Sequence, residues 1–214
     1  VNDNSDKIIL DLCGGTGAWS RPYKETGYDV RLITLPDNDV RTYEPPENVY
    51  GILAAPPCTE FSSEKNGHGN RNIDGAMEIV SACERIIRLC VKRGSLKFWA
   101  LENPVARSSP FPLAKFLGRP SYKFEQWQFG EKTKKATYIW GFFNGPAPST
   151  IIAPTEFETT MGSKVSGNMH YKHPRCPDWC KEYIKSIKGS TARRAALRAI
   201  TPAGFAEAFF KANK

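Results

Sequence analysis

A mostly apolar run, Lys7-Ile-Ile-Leu-Asp-Leu12, leads straight into the glycine-rich turn Cys13-Gly-Gly-Thr-Gly17, and this junction sets the fold more tightly than anything else in the chain. A short apolar run bounded by turn residues is the pattern of a strand covered on both faces, and such strands belong to parallel sheets. The glycines permit positive φ and a close approach of backbone to a ligand. Ala18-Trp-Ser-Arg-Pro22 then enters a helix, and a second strand, Asp29-Val-Arg-Leu-Ile-Thr34, follows the turn at Gly27. Gly51-Ile-Leu-Ala54 reads as another strand. Apolar residues at Ala76, Met77, Ile79, Val80, Cys83, Ile86, Ile87 and Cys90 predict an amphipathic helix over 74–93, stopped by Gly94. Lys97-Phe-Trp-Ala-Leu101 is a further strand, ending in Glu102-Asn-Pro104. Strands and helices alternating in this order predict an α/β fold with a parallel sheet and helices on both faces.

The second half is less regular. Residues 122–129 and 136–142 read as a β-rich pair joined by the basic turn Glu131-Lys-Thr-Lys-Lys135, placed at the far edge of the sheet. Residues 143–190 are rich in Pro, Gly, Ser and Thr without sustained periodicity, the pattern of an insertion or recognition segment. Helix resumes over 191–200, and Pro202 opens a last helix over 203–210. The expected organisation is a core over 1–142, a small recognition or insertion segment over 143–190, and C-terminal helices over 191–214 that pack back on the core.

With 214 residues, 40% of them apolar, the chain can bury one sizeable core but not a second full one. Thirty Lys and Arg against 22 Asp and Glu leave a formal charge of +8, which favours a polyanionic partner, although solvated lysines alone would give the same sum. The six cysteines are too sparse for a disulfide scaffold, and Cys83 and Cys90 fall on the apolar side of the predicted helix. A reducing, cytoplasmic location is therefore expected. No run approaches the ~18–20 apolar residues that cross a bilayer, and nothing before Ile8 reads as a secretory leader. No membrane partner is expected, and a monomer is the working assumption.

In sheets of this kind ligands gather beyond the carboxyl ends of the strands. Three segments end strands here: the glycine turn, Pro56-Pro-Cys58 and Glu102-Asn-Pro104. Cysteine is ordinarily a small buried hydrophobe. Two preceding prolines, however, remove backbone donors and fix φ, which suits the presentation of a nucleophile better than strand packing. Glu102, alone after Phe98-Trp-Ala-Leu101, reads as a partly buried acid whose raised pKa would let it deliver a proton. The alternative, a surface acid paired with a lysine, would contribute little. A thiolate with a proton-donating carboxyl suits addition to an electron-poor ring such as cytosine. Sulfur adds to C6, N3 is protonated, and C5 becomes a nucleophile for an electrophilic methyl group. Thr59, Phe61 and Ser62 are the expected lining of the pocket.

Asp11-Leu-Cys-Gly-Gly-Thr-Gly17, Pro56-Pro-Cys-Thr-Glu-Phe-Ser62 and Glu102-Asn-Pro104, in this order and spacing, resemble the cofactor loop, the nucleophile motif and the Glu-Asn motif of the DNA (cytosine-5) methyltransferases. The resemblance spans residues 7–142 and the tail, and its most specific part is Pro-Cys. It implies a Rossmann-like methyltransferase sheet, S-adenosylmethionine as cofactor, DNA as partner and base flipping. It implies a catalytic set of Cys58, Glu102, Asn103 and Lys135. Cofactor-binding residues would be Asp11, Cys13, Gly14, Gly15, Thr16, Gly17, Asp39 and Pro56; substrate-binding residues would be Pro57, Thr59, Phe61, Ser62 and Thr137. Thr201-Pro-Ala-Gly-Phe205 resembles the family's last helix, which folds back beside the cofactor. The chain departs from the family in three places. Leu32-Ile-Thr-Leu-Pro36 lacks the acid that ends the second strand, with Asp37 beyond it. Lys132, Lys134 and Lys135 stand where arginines are usual, and lysine lacks the bidentate fork. Residues 143–190 leave room for a reduced target-recognition region only, as in compact methylases of phage type.

Trp127, Lys132, Lys134, Lys135, Trp140, Lys172, Arg175 and Trp179 interleave cations with aromatic rings, as a nucleic-acid surface would. His170, His173, Cys176 and Cys180 are zinc-ligand types, yet their spacing matches no common finger and the histidines equally suit phosphate contact. No metal site is assigned from the sequence. Competing readings are a non-catalytic DNA-binding relative and an exocyclic-amino methyltransferase. The latter also presents a Pro-Pro tetrapeptide but follows it with an aromatic residue, where this chain has Cys58.

Overall fold

The computed structural model describes residues 3–157 and 176–214. Its centre is a six-stranded sheet of order β2-β1-β3-β4-β6-β5. Strands β1 (Ile8–Leu12), β2 (Asp29–Ile33), β3 (Val49–Ala54) and β4 (Phe98–Pro104) are parallel. β6 (Ala136–Phe142) runs antiparallel to both β4 and β5 (Tyr122–Glu125). The sheet is thus mixed rather than all-parallel. β5 runs in the same direction as β4, which it reaches past the four-residue α3 (Ala114–Leu117), and β6 is the reversed strand: it follows β5 after residues 126–135, too short a connection for the crossover of a dozen or more residues that a parallel neighbour needs.

Every residue of β1 is buried, while the edge strand β2 exposes Arg31, which pairs with Asp29 at 2.8 Å. Alternation along the central strands divides the interior. Leu10, Leu12, Ile52, Ala54 and Leu101 face α2 (Ile73–Arg93), which buries Val80, Cys83, Ile86, Ile87 and Cys90 against them. Asn72 caps this helix by accepting from the Gly75 amide at 3.0 Å, and Gly94 ends it at φ 81°. Ile9, Leu53, Phe98, Ala100, Phe124 and Ile139 face the other way. That side is an aromatic core closed by Trp19, by Tyr23 of α1 (Arg21–Glu25), and by Phe205, Phe209 and Phe210 of α6 (Ala203–Ala212). Phe205 stacks on Phe124 at 4.1 Å between ring centres.

Three boundaries differ from those the sequence suggests. β4 continues through Glu102, Asn103 and Pro104, because these residues pair with Ile139, Tyr138 and Thr137. Residues 122–129 are strand only as far as Glu125, after which Gln126–Phe129 form a 3-10 turn with a reciprocal Glu125–Gln128 cap. Within 143–190, residues Asp178–Cys180 make a 3-10 turn and Lys181–Ser186 the helix α4, elements too short to show a period. α5 (Ser190–Arg198) follows it. Among the described residues no helix is long and apolar enough to cross a membrane.

Candidate active site

β1 sends the chain to β2 on one side and to β3, through β2, on the other, so the strand order reverses between β1 and β3. A crevice at such a switch point, beyond the carboxyl ends, is where open α/β sheets bind ligands. The Ala55 amide donates to the Leu12 carbonyl at 2.9 Å, holding the start of Pro56-Pro-Cys58 beside the glycine turn.

The turn is built from below. Asp11 is wholly buried and accepts from the Ser20 hydroxyl at 2.5 Å, while its Oδ1 has no hydrogen-bond partner. Burial pushes its carboxyl up to about 6 against the opposing hydrogen bonds from Ser20. A Cβ on Gly14 would lie 2.3 Å from the Asp11 carboxyl, so only glycine lets the turn close over it. Asp11 therefore supports the turn from beneath. Cys13 holds φ at 58°, a conformation that costs a non-glycine residue about 1–2 kcal/mol. Its side chain packs toward the α2 core and hydrogen-bonds the Cys83 thiol, which that bond and burial push far up. The Cys13 side chain is thus turned away from the cleft. Gly14, Gly15, Thr16 and Gly17 remain half-exposed.

Cys58 is half-buried, between an exposed Pro57 and an exposed Thr59. The amides of Phe61 and Ser62 both return to the Cys58 carbonyl, at 3.1 and 2.8 Å, so the chain turns immediately after the thiol. Phe61 ends in the core, fully buried and edge-on to Phe116 at 6.2 Å. It backs the loop and does not line a pocket, as its apolar ring in a turn that folds inward requires. Pro56 is buried, and its carbonyl accepts from Asn103 Nδ2 at 3.1 Å. Asn103 is itself buried; its Nδ2 holds the nucleophile segment through this bond, and its Oδ1 has no hydrogen-bond partner.

Glu102 shares its strand face with Phe98 and Ala100, and so points into the aromatic side of the sheet. Its Oε2 is buried with no hydrogen-bond partner, and burial raises its pKa, opposed by Lys135. Burial also raises the Cys58 thiol; Lys135 and Arg198 act to lower it and Glu102 to raise it further. Cys58, Glu102, Lys135 and Arg198 thus stand within electrostatic reach of one another. Lys135 Nζ lies 3.4 Å from the Arg198 carbonyl, which orients the ammonium. Beside them opens a pocket of about 300 Å³, counting solvent at its mouth, lined by Trp19, Glu102, Phe124, Gln126, Lys135, Thr137 and Phe205 and by residues 199–202. Thr137 lies on this wall and is buried.

The Asp39 carboxylate is held by the Arg41 guanidinium at 2.6 Å, and that bonding takes it down to about 2. Trp19 and Arg198 escaped the sequence reading. Trp19 follows the glycine turn directly, a usable signal, and its Nε1 is buried without a hydrogen-bond partner on the pocket wall. Arg198 sits among other cations of α5, where nothing in the sequence distinguishes it. Arg71 was missed as well. It donates to the carbonyls of Glu60 and of Ser62, the latter at 3.0 Å, and clamps the loop that follows Cys58. Among the described residues no group of three or more His, Cys, Asp or Glu is placed to hold a metal ion, and His170 and His173 lie outside them. Compared with known proteins, the chain matches no family model and no curated protein sequence.

Proposed function

We propose that this chain is a DNA (cytosine-5) methyltransferase that draws its methyl group from S-adenosylmethionine. The observation that carries the reading is the half-buried Cys58 thiol, at the end of a central strand, in electrostatic contact with the buried Glu102 carboxyl and with Lys135. The pocket beside this cluster is where the cofactor would bind. Its wall combines aromatic rings, Phe124 and Phe205, with two buried polar atoms that lack partners, Trp19 Nε1 and Glu102 Oε2. The half-exposed backbone of Gly14 to Gly17 would hold the polar end of the cofactor, as glycine turns at strand ends do. Bound there, S-adenosylmethionine supplies an electrophilic methyl on sulfonium.

The residues divide the remaining work. Lys135 and Arg198 favour the Cys58 thiolate, whose sulfur forms a bond to C6 of a flipped cytosine. Glu102, kept protonated by burial, gives its proton to N3 and so drains charge from the ring. C5 would then be the carbon able to take the methyl group, the sulfonium donor leaving as its neutral thioether. The C5 proton would pass to solvent, the N3 proton would return to Glu102, and departure of the Cys58 sulfur from C6 would restore the aromatic base. Phe205 and Trp19 would present apolar rings to the bound groups. The excess of positive charge would steer the DNA backbone.

Duplex DNA carrying 5-fluorocytosine tests the scheme, because fluorine blocks the loss from C5 and leaves the Cys58–C6 bond in place. With S-adenosylmethionine the chain is expected to form an adduct that survives denaturing electrophoresis. Cys58→Ala should form none, and Glu102→Gln should form it at least about a hundredfold more slowly. Intact DNA binding with no adduct and no 5-methylcytosine would leave a DNA-binding relative without turnover.

A further inference from the structure

The C-terminal helical unit carries a third hydrophobic cluster, separate from the two that sandwich the sheet. Its buried members are Cys176, Cys180, Ile184 and Leu197. This is too small a core to fix α4 and α5, which have six and nine residues and fall below the length at which isolated helices persist. Small units of this kind are commonly stapled by disulfides or a metal.

The two sulfurs lie 3.8 Å apart. A disulfide requires about 2.05 Å, whereas two thiolates at about 2.3 Å from one tetrahedral zinc stand about 3.8 Å from each other. Cys176-Pro-Asp-Trp-Cys180 has three residues between its cysteines, within the range of structural zinc ligand pairs. Both thiols are buried, and the acceptor near each is the Pro177 carbonyl, at 4.0 Å from Cys176 and 3.4 Å from Cys180. The unit also bears on the rest of the molecule. Trp179, between the two cysteines, lies under the Arg21 guanidinium at 4.6 Å, and Leu197 immediately precedes Arg198.

We propose that Cys176 and Cys180 are two thiolate ligands of a structural zinc ion that fixes α4 and α5 against the core. Binding forms two Zn–S bonds and releases the two thiol protons to solvent. The two thiolates fill two of the four positions of a tetrahedral ion; His170 and His173, the next ligand types in sequence, lie outside the described residues.

The full chain, purified without chelator, is expected to hold about one zinc per molecule by elemental mass spectrometry. Cys176→Ser and Cys180→Ser should each weaken zinc binding at least about tenfold. Two measurements on the unaltered protein keep the proposal open to failure even if those variants do not fold. Cobalt replacing zinc should give a thiolate-to-metal charge-transfer band. Chelation should make Cys176 and Cys180 reactive to a thiol reagent that the metal-loaded protein resists, as read by peptide mass spectrometry. A chain that retains no zinc and shows no such band on cobalt titration, or one isolated under reducing conditions with a Cys176–Cys180 disulfide, overturns the proposal.

Discussion

A thiol enclosed by protein stays protonated at neutral pH, and the cations beside Cys58 offset that only in part. Burial raises its pKa, Lys135 is the strongest opposing influence, Glu102 adds to the rise and Arg198 counters it. The balance leaves a raised value, so thiolate is scarce at neutral pH in the absence of ligand. Lys135→Met should therefore slow alkylation of Cys58 by iodoacetamide about threefold to tenfold at neutral pH and move the pH profile to higher values. Glu102→Gln should move it the other way. Mass spectrometry of the peptide that carries Cys58 measures both, and coincident profiles for the native chain and Lys135→Met would remove Lys135 from the site. At this scale the sequence singled out Cys58 and Glu102, and folding brings them within electrostatic reach of each other. It did not show that Phe61 and the Cys13 side chain turn to the core, because a strand-end motif does not reveal which member points outward and which inward.

The element that completes the pocket is α6, and its closeness to the sheet depends on one residue. A Cβ on Gly204 would lie 2.1 Å from the Phe129 carbonyl oxygen, so the helix sits directly on the 3-10 turn after β5. Gly204→Ala is expected to push α6 outward and separate Phe205 from Phe124. The overpacking should cost about 1–3 kcal/mol, seen as a lower urea midpoint with an unchanged slope. An unaltered midpoint would mean that the helix is free to shift. The helix itself was legible from its apolar spacing and from Pro202. Its tight seat was not, since the contact joins residues that lie 75 positions apart, Phe129 and Gly204. The strand extension through Glu102 has a similar origin. Glu102-Asn-Pro reads as a strand end until β6 comes alongside to pair with it.

For the molecule as a whole, the buried acid beneath the glycine turn couples stability to pH. Asp11 has a folded-state value raised to about 6 from an ordinary 3.8. The native state therefore keeps a proton that the unfolded chain has released. Its contribution is fully present below about pH 4 and is lost as the pH rises through about 6, a difference on the order of 3 kcal/mol at most. The raised Glu102 acts in the same direction. Denaturant titrations between pH 4 and 7 are expected to show the native chain losing stability relative to Asp11→Asn across that window. Parallel curves for the two proteins would show that Asp11 does not titrate there.

Legible in the sequence were the alternation of strands and helices, the long amphipathic helix α2, and the order in which the glycine turn, the Cys58 segment and Glu102 follow their strands' apolar runs. These are local or periodic properties, set by apolar spacing and by the φ preferences of glycine and proline. Only the tertiary structure decided that the sheet is mixed, that Asp11 lies under its turn, and that Arg198 comes beside Cys58 from 140 residues away. Those outcomes depend on which surfaces meet, and burial, pairing and charge act between residues whose neighbourhood is created by folding.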